Sequence, residues 1–233
     1  MKTFVFDVDD TLYDQNQPFL KAWHELGYDR YAIDAAMMWK RARAYGDEVF
    51  AKVNSGEMSV DESGVYRLTK ALADEDILIS IQDALKLQQT YRYNLGHIEL
   101  TPLMHELLND LKGMVNLAIL TNGPYEHQMG KVKALALDQY IDEDHVFVSG
   151  NYAFSKPDKR IFEVVERSLG VKNEDCWYIG DSYQNDIQGA FNAFWHVIWL
   201  NRRHYDNSVS GIDYVCSSEP ELATLLRKLA NDE

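Results

Sequence analysis

Four aspartates crowd one short stretch near the start of the chain. Asp7, Asp9, Asp10 and Asp14 follow directly on the apolar run TFVF. Like charges at this spacing repel, so the cluster is poor material for holding a fold and well suited to binding a cation or moving protons. Three later apolar runs also end in polar groups. AIL ends in Thr121, Asn122 and Gly123; VFVSG is followed shortly by Lys156 and Pro157; WYIG ends in Asp181 and Ser182, with Asn185 and Asp186 close behind. Each has an ordinary reading alone: Asp181 could cap a helix, Lys156 could be a solvated surface lysine, and Thr121 could merely end a strand. Together they describe a site. Convergence of Asp7, Asp9 and Asp181 implies repulsion of about 3–4 kcal/mol per pair at ~4–5 Å in an effective dielectric near 20. A divalent cation reverses that sign. Oxygen ligands with no His or Cys nearby favour Mg²⁺ over zinc. A hard cation, a lysine, a hydroxyl and the Gly123 backbone N–H at a helix start together suit a phosphate group.

The elements that must position these groups fall into two regimes. Six short, nearly continuous apolar runs read as strands covered on both faces: TFVFDV, VNLAILT, HVFVS, CWYIG, HVIWL and DYVCS. Between them lie amphipathic stretches of helical length, among them PYEHQMGKVKALAL, PDKRIFEVVERSLG and NDIQGAFNAF. Two begin with proline, which suits the first helical position, and SLG supplies a C-terminal glycine. Strand–helix alternation predicts an α/β doubly wound parallel sheet, in which ligands bind beyond the carboxyl ends of the strands. Residues 14–96 differ. They contain no convincing strand and are rich in helix formers and aromatics, with breaks near Gly27, at 54–56 and at 74–76. They read as a helical bundle inserted into the α/β part. The expected domains are therefore 1–13 with 97–233, and 14–96.

The composition bounds the function. The chain has 233 residues, with 23 basic and 37 acidic, giving a formal charge of -14. Such a protein is not expected to bind nucleic-acid polymers by charge. Apolar residues make up 46%, enough for a real core. Cys176 and Cys216 lie in apolar stretches without CxxC spacing and read as buried thiols rather than a zinc site or disulfide. The start carries no signal-peptide pattern and no run approaches membrane-spanning length. The expectation is a cytoplasmic protein without membrane contact.

Taken in order, D-V-D-D-T at 7–11, T-N-G at 121–123, K-P at 156–157 and G-D-x-x-x-x-D at 180–186 resemble the four motifs of the haloacid dehalogenase-like (HAD) hydrolase superfamily. The helical insert resembles the C1-type cap of its subfamily I, on a Rossmann-like core. The resemblance implies Asp7 as nucleophile forming an aspartyl-phosphate and Asp9 as general acid, then base. It implies Thr121 on the phosphoryl group, with Asn122 and Gly123 assisting, and Lys156 neutralising charge. Asp7, the Asp9 main-chain carbonyl and Asp181 would hold Mg²⁺, with Asp186 a direct or outer partner. An acid two positions after the nucleophile marks the family's phosphatases and phosphomutases; haloacid dehalogenases lack it. Asp10 is expected to cap the following turn. Where Phe194 stands the family usually has glycine, which predicts a different helix exit.

The resemblance implies a Mg²⁺-dependent phosphatase acting on a small phosphorylated metabolite, as a monomer or homodimer. The segment WLNRRH and the later DYVCSSEPELATLLRKL resemble the pyrimidine 5′-nucleotidase branch, which nominates nucleoside 5′-monophosphates. Trp23, Tyr28, Trp39, Tyr45, Phe50 and Tyr66 could stack on a base or pack the insert's own helices; Arg41, Arg43 and Arg67 could meet phosphate or be ordinary exposed arginines. The alternatives are a sugar phosphomutase of the β-phosphoglucomutase type and a catalytically silent HAD-like binding protein. A response-regulator receiver also gathers acids, Thr and Lys, but its acceptor aspartate ends the third strand, and HVFVSGN offers none.

Overall fold

The computed structural model describes residues 1–205 and 211–232; residues 206–210 and 233, which fall within the expected 97–233 range, lie outside the described residues. The chain forms two compact units, Met1–Asp14 with Glu99–Glu233, and Gln15–Ile98.

The first unit is an α/β doubly wound domain. Its strands are β1 (Thr3–Phe6), β2 (Asn116–Thr121), β3 (Val146–Val148), β4 (Cys176–Gly180), β5 (His196–Leu200) and β6 (Tyr214–Cys216). All pair in parallel, in the order β3-β2-β1-β4-β5-β6. The chain winds outward from β1 through β2 to β3, then returns to the other side of β1 as β4. That reversal opens a crevice beyond the ends of β1, β2 and β4. Every residue of β1 is buried, because it is central and covered on both faces. Phe6 lies opposite both Ile119 and Ile179, so Asp7, Thr121 and Asp181 leave the sheet at nearly the same level. One face packs Val5, Leu120, Tyr178 and Trp199 against Ile161, Phe162 and Val165 of the helix Lys159–Leu169.

The helices of this unit are capped by their own sequence. In chain order with those of the insert, they are α5 (Pro102–Leu111), α6 (Tyr125–Ala134), α7 (Lys159–Leu169), α8 (Gln188–Asn192) and α9 (Glu219–Asn231). Thr101, Asp158 and Ser218 accept backbone N–H groups at the starts of α5, α7 and α9. The two prolines expected at first helical positions sit elsewhere. Pro124 is the N-cap of α6, and Pro157 precedes α7, where Asp158 takes the cap by accepting from Arg160 N. Gly170 ends α7 at φ 65° in the left-handed region, the C-terminal role read from SLG. Beyond α8 the helix exit is left-handed. Phe194 itself adopts φ 62°, and its N–H donates to Phe191 O at 2.9 Å. The chain needs a left-handed residue there, and phenylalanine fills the place suited to glycine.

The second unit is all-helical: α1 (Asn16–Glu25), α2 (Ala35–Asn54), α3 (Val60–Ala73) and α4 (Ile81–Leu95). A capping box of Ser59 and Glu62 starts α3, and Ser80 caps α4. Its centre is aromatic. Phe19 stacks on Trp39 with centroids 4.9 Å apart, and Trp39 meets Tyr91 at 5.0 Å. Trp23, Tyr28 and Trp39 are buried here, Tyr45 donates to Asp74, and Tyr66 donates to Glu48. Arg67 lies over Trp39 and Tyr91 and donates to Gln88, while Arg41 pairs with Glu75. These side chains pack the unit's own helices.

Candidate active site

A buried charge cluster sits at the crevice. Lys156 Nζ donates to Asp7 Oδ1, Asp186 Oδ1 and the Tyr178 hydroxyl, each at 2.7 Å. Tyr178 in turn donates to Leu120 O at 2.7 Å, tying the cluster to β2. Asp186 Oδ2 accepts the Ser182 N–H at 2.9 Å. Asp186 approaches so closely because residue 180 is glycine: a Cβ there would lie 2.5 Å from Asp186 Oδ2. This is the physical reason for the G-D-x-x-x-x-D spacing. Carboxylate oxygens of Asp7, Asp181 and Asp186 lie within 4.8 Å of one another.

Three carboxylates around one ammonium leave net negative charge in a dry place. Burial pushes the Asp7 carboxyl from its ordinary 3.8 up to about 6; Lys156 opposes the rise, while Asp186 and Asp9 add to it. Burial also works against the Lys156 charge, but Asp186 and Asp7 outweigh it and hold the ammonium above its ordinary value. A divalent, oxygen-preferring cation fits this set, because it offsets the repulsion that remains after Lys156 has paired.

Asp9 has surroundings of its own. Lys131 Nζ donates to Oδ1 at 2.7 Å and Oδ2 at 2.6 Å, the Tyr13 hydroxyl donates to Oδ1 at 2.5 Å, and Gln128 Nε2 donates to Oδ2 at 3.2 Å. Gln128 also reaches Asn122 O at 2.7 Å. Asp10 is buried at φ 57°, and its carboxylate meets Arg203, which binds Asp14 as well, each at 2.8 Å. That ion pair is a partner the turn-capping expectation did not include.

The loop residues make contacts within the protein that the sequence did not suggest. The Asn122 side chain clasps the Lys156 backbone, donating to its O at 2.9 Å and accepting its N–H at 3.0 Å. It holds the lysine loop in place. The Gly123 N–H donates to Ser149 Oγ at 3.0 Å, so the amide assigned to phosphate is engaged within the protein. Thr121 is the last residue of β2 and is buried, one position past the carbonyl that Tyr178 binds. Thus Asp7, Lys156, Asp181 and Asp186 come together directly, with Asp9 two residues away on its own set of donors.

Sequence reasoning missed Lys131, Gln128, Tyr13, Tyr178 and Ser149. A signal existed for the first two. Gln128 and Lys131 are three apart on α6 and share its buried face with Val132. A glutamine and a lysine on the apolar face of a helix ask for a buried polar partner.

The model for the haloacid dehalogenase-like hydrolases matches residues 1–193. This chain therefore belongs to the haloacid dehalogenase-like hydrolase family. Human N-acylneuraminate-9-phosphatase is 34% identical over 138 residues, a match covering 58% of this chain and 55% of that protein. The chain thus spans only about half the length of that relative. The glyceraldehyde 3-phosphate phosphatase of Methanothermobacter thermautotrophicus is 30% identical over 202 residues, covering 86% of each chain. A solved HAD-hydrolase of Bacillus subtilis, bound to magnesium, is 27% identical with a TM-score of 0.71, covering 97% of this chain and 98% of its own.

Proposed function

We propose that this protein hydrolyses small phosphate monoesters through an aspartyl-phosphate on Asp7, with Mg²⁺. The observation that carries the reading is the buried Asp7–Lys156–Asp186 cluster beside Asp181, with a second acid, Asp9, two residues beyond Asp7 and separately held. Asp7, Asp181 and Asp186 would hold the ion, with the Asp9 main-chain carbonyl, and it supplies charge shielding and in-line positioning of the phosphoryl group.

The chain's own residues do the rest. Lys156 fixes the Asp7 carboxylate, leaving its other oxygen as the attacking atom, and offsets charge on the transferring group. Asp9 gives a proton to the leaving oxygen and later takes one from water. Asn122 holds the Lys156 loop, and Thr121 presents its hydroxyl at the end of β2. An acid in the position of Asp9 serves an oxygen leaving group, which needs protonation; a departing halide does not. The relatives named for phosphatase activity support a small phosphorylated metabolite, with nucleoside 5′-monophosphates, sugar phosphates and short-chain phosphates as the candidates. Buried thiols are in keeping with a reducing, cytoplasmic setting: burial pushes Cys176 up to about 12 and Cys216 up to about 11. Among the described residues no helix is long and apolar enough to cross a membrane.

The test is turnover of p-nitrophenyl phosphate with and without Mg²⁺. Wild type should release phosphate with Mg²⁺ and lose activity in EDTA, and Asp7→Asn should reduce turnover by at least about 10³-fold. Absence of turnover in wild type, or activity retained in Asp7→Asn, overturns the reading. A panel of phosphorylated metabolites then ranks the substrates, and return of phosphate to a sugar would identify a mutase.

A further inference from the structure

We infer that Lys131 is the positioning residue of Asp9, with Tyr13 and Gln128 as its supports; this rests on the phosphatase reading above. Lys131 is only 3% exposed, in the last turn of α6. Lysine at such a place ordinarily extends its stem to bring the charge to water. Here the ammonium turns into the crevice and grips both oxygens of Asp9. Burying that charge carries a desolvation penalty before pairing, and a leucine or methionine would fill the helix face at no such cost. No step assigned to Asp7, Lys156 or Asp181 uses Lys131. What the ion pair accomplishes is geometric. The Asp9 side chain is 17% exposed and lies on the segment leaving the sheet. Without a fixed partner it has freedom to rotate, and proton transfer demands a defined distance to the reacting oxygen.

The position of Asp9 matters in both half-reactions. In the first half-reaction an Asp7 oxygen attacks phosphorus, the bond to the leaving oxygen breaks, and that oxygen takes a proton from Asp9. In the second, water attacks phosphorus, the bond to Asp7 breaks, and Asp9 takes the water's proton. Lys131 neither gains nor loses a proton in either step. Lys131, Tyr13 and Gln128 all donate to Asp9. Together they hold its carboxyl group in one place for both proton transfers. When the leaving group departs without a proton, only the second step depends on that placement; when it needs an acid, both do.

That gives a signature a merely structural role lacks. p-Nitrophenolate leaves without a proton, so its kcat/KM reports phosphorylation of Asp7 independently of Asp9. For Lys131→Met, kcat on p-nitrophenyl phosphate should fall about 10–100-fold while its kcat/KM stays within about threefold of wild type. A stoichiometric burst of p-nitrophenolate should precede the slow steady state. The kcat/KM for glycerol phosphate, whose alkoxide needs a proton, should fall with kcat. Lys131→Arg should restore most of the loss. Tyr13→Phe keeps the ion pair and removes one donor, so it should show the same pattern at smaller amplitude and covers the case in which Lys131→Met does not fold. A uniform loss across substrates and parameters, or no loss in any, overturns the inference while leaving a phosphatase that turns over in wild type. Silence of the wild type overturns both.

Discussion

Asp7 carries two opposed demands. In its proposed role as nucleophile it must be ionised, yet burial favours its neutral form and pushes it up to about 6. Because the folded value lies above the unfolded one, the native state binds the proton more tightly. The metal-free protein should therefore lose stability as pH rises from about 4 to about 6 at this one site. Melting in EDTA across that range, wild type minus Asp7→Asn, isolates the contribution: the neutral variant should melt several degrees higher at neutral pH while being catalytically dead. Equal melting of the two proteins at every pH would contradict the assignment of strain to Asp7. Mg²⁺ should remove the difference by stabilising the charged form in wild type only. At this scale the sequence was informative where residue type alone carries chemistry. Asp7, Asp9, Lys156, Asp181 and Asp186 could be named from type and spacing. Lys131 carried only the weaker signal of its spacing from Gln128, because a lysine in a helix is ordinarily solvated and burial is what sets this one apart.

At the level of elements, α8 and its exit bear the clearest local strain. Phe194 holds φ 62° with its ring 79% exposed, so it bears a left-handed backbone and gains little burial in return. The left-handed region costs a non-glycine residue about 1–2 kcal/mol, partly offset in a glycine variant by added freedom of the unfolded chain. Phe194→Gly should therefore stabilise the protein by roughly 0.5–1 kcal/mol, read as a higher midpoint in urea with unchanged slope. Phe194→Ala keeps the strained backbone and should gain nothing; an equal gain from alanine would assign the effect to the ring instead. The helix caps show the complementary case. Ser59 with Glu62 and Asp158 with Arg160 N are local devices, and local devices are legible in a sequence because partners three residues apart must meet once the helix forms. The prolines were misplaced for a related reason. Proline is compatible with several positions around a helix start, and the neighbouring cap decides which it takes.

The whole molecule is acidic, at -14, and the proposed reaction brings a phosphate dianion to a crevice lined by aspartates. Long-range repulsion slows that encounter, and salt screens it over about 8–10 Å at ~0.1–0.15 M. With Mg²⁺ saturating, kcat/KM should rise as ionic strength increases from about 20 to about 150 mM. A fall over the same range would place the balance with the local positive charge of the site. The division into Met1–Asp14 with Glu99–Glu233 and Gln15–Ile98 belongs to this scale too. The first strand is separated by over a hundred residues from β2, its partner, and only the register Phe6 to Ile119 and Ile179 brings Asp7 beside the later groups.

What the sequence by itself determined is the alternation of strands with helices, the exposed sixth strand at the edge included, and the set of residue types able to handle a cation and a phosphoryl group. Periodicity and composition act over ten or so residues, and each strand end announces its own polar cargo. What only the tertiary structure decided is how that cargo is shared. Asn122 and Gly123 read as phosphate contacts, yet their partners are the Lys156 backbone and Ser149. Tyr178 lies in the strand run CWYIG, and its hydroxyl accepts one of the three hydrogen bonds of Lys156. Lys131, 122 positions from Asp9, closes on both of its oxygens. Hydrogen bonds and buried ion pairs act over about 3 Å, and pairings at that range across the chain exist only once the sheet has set its strand order and register.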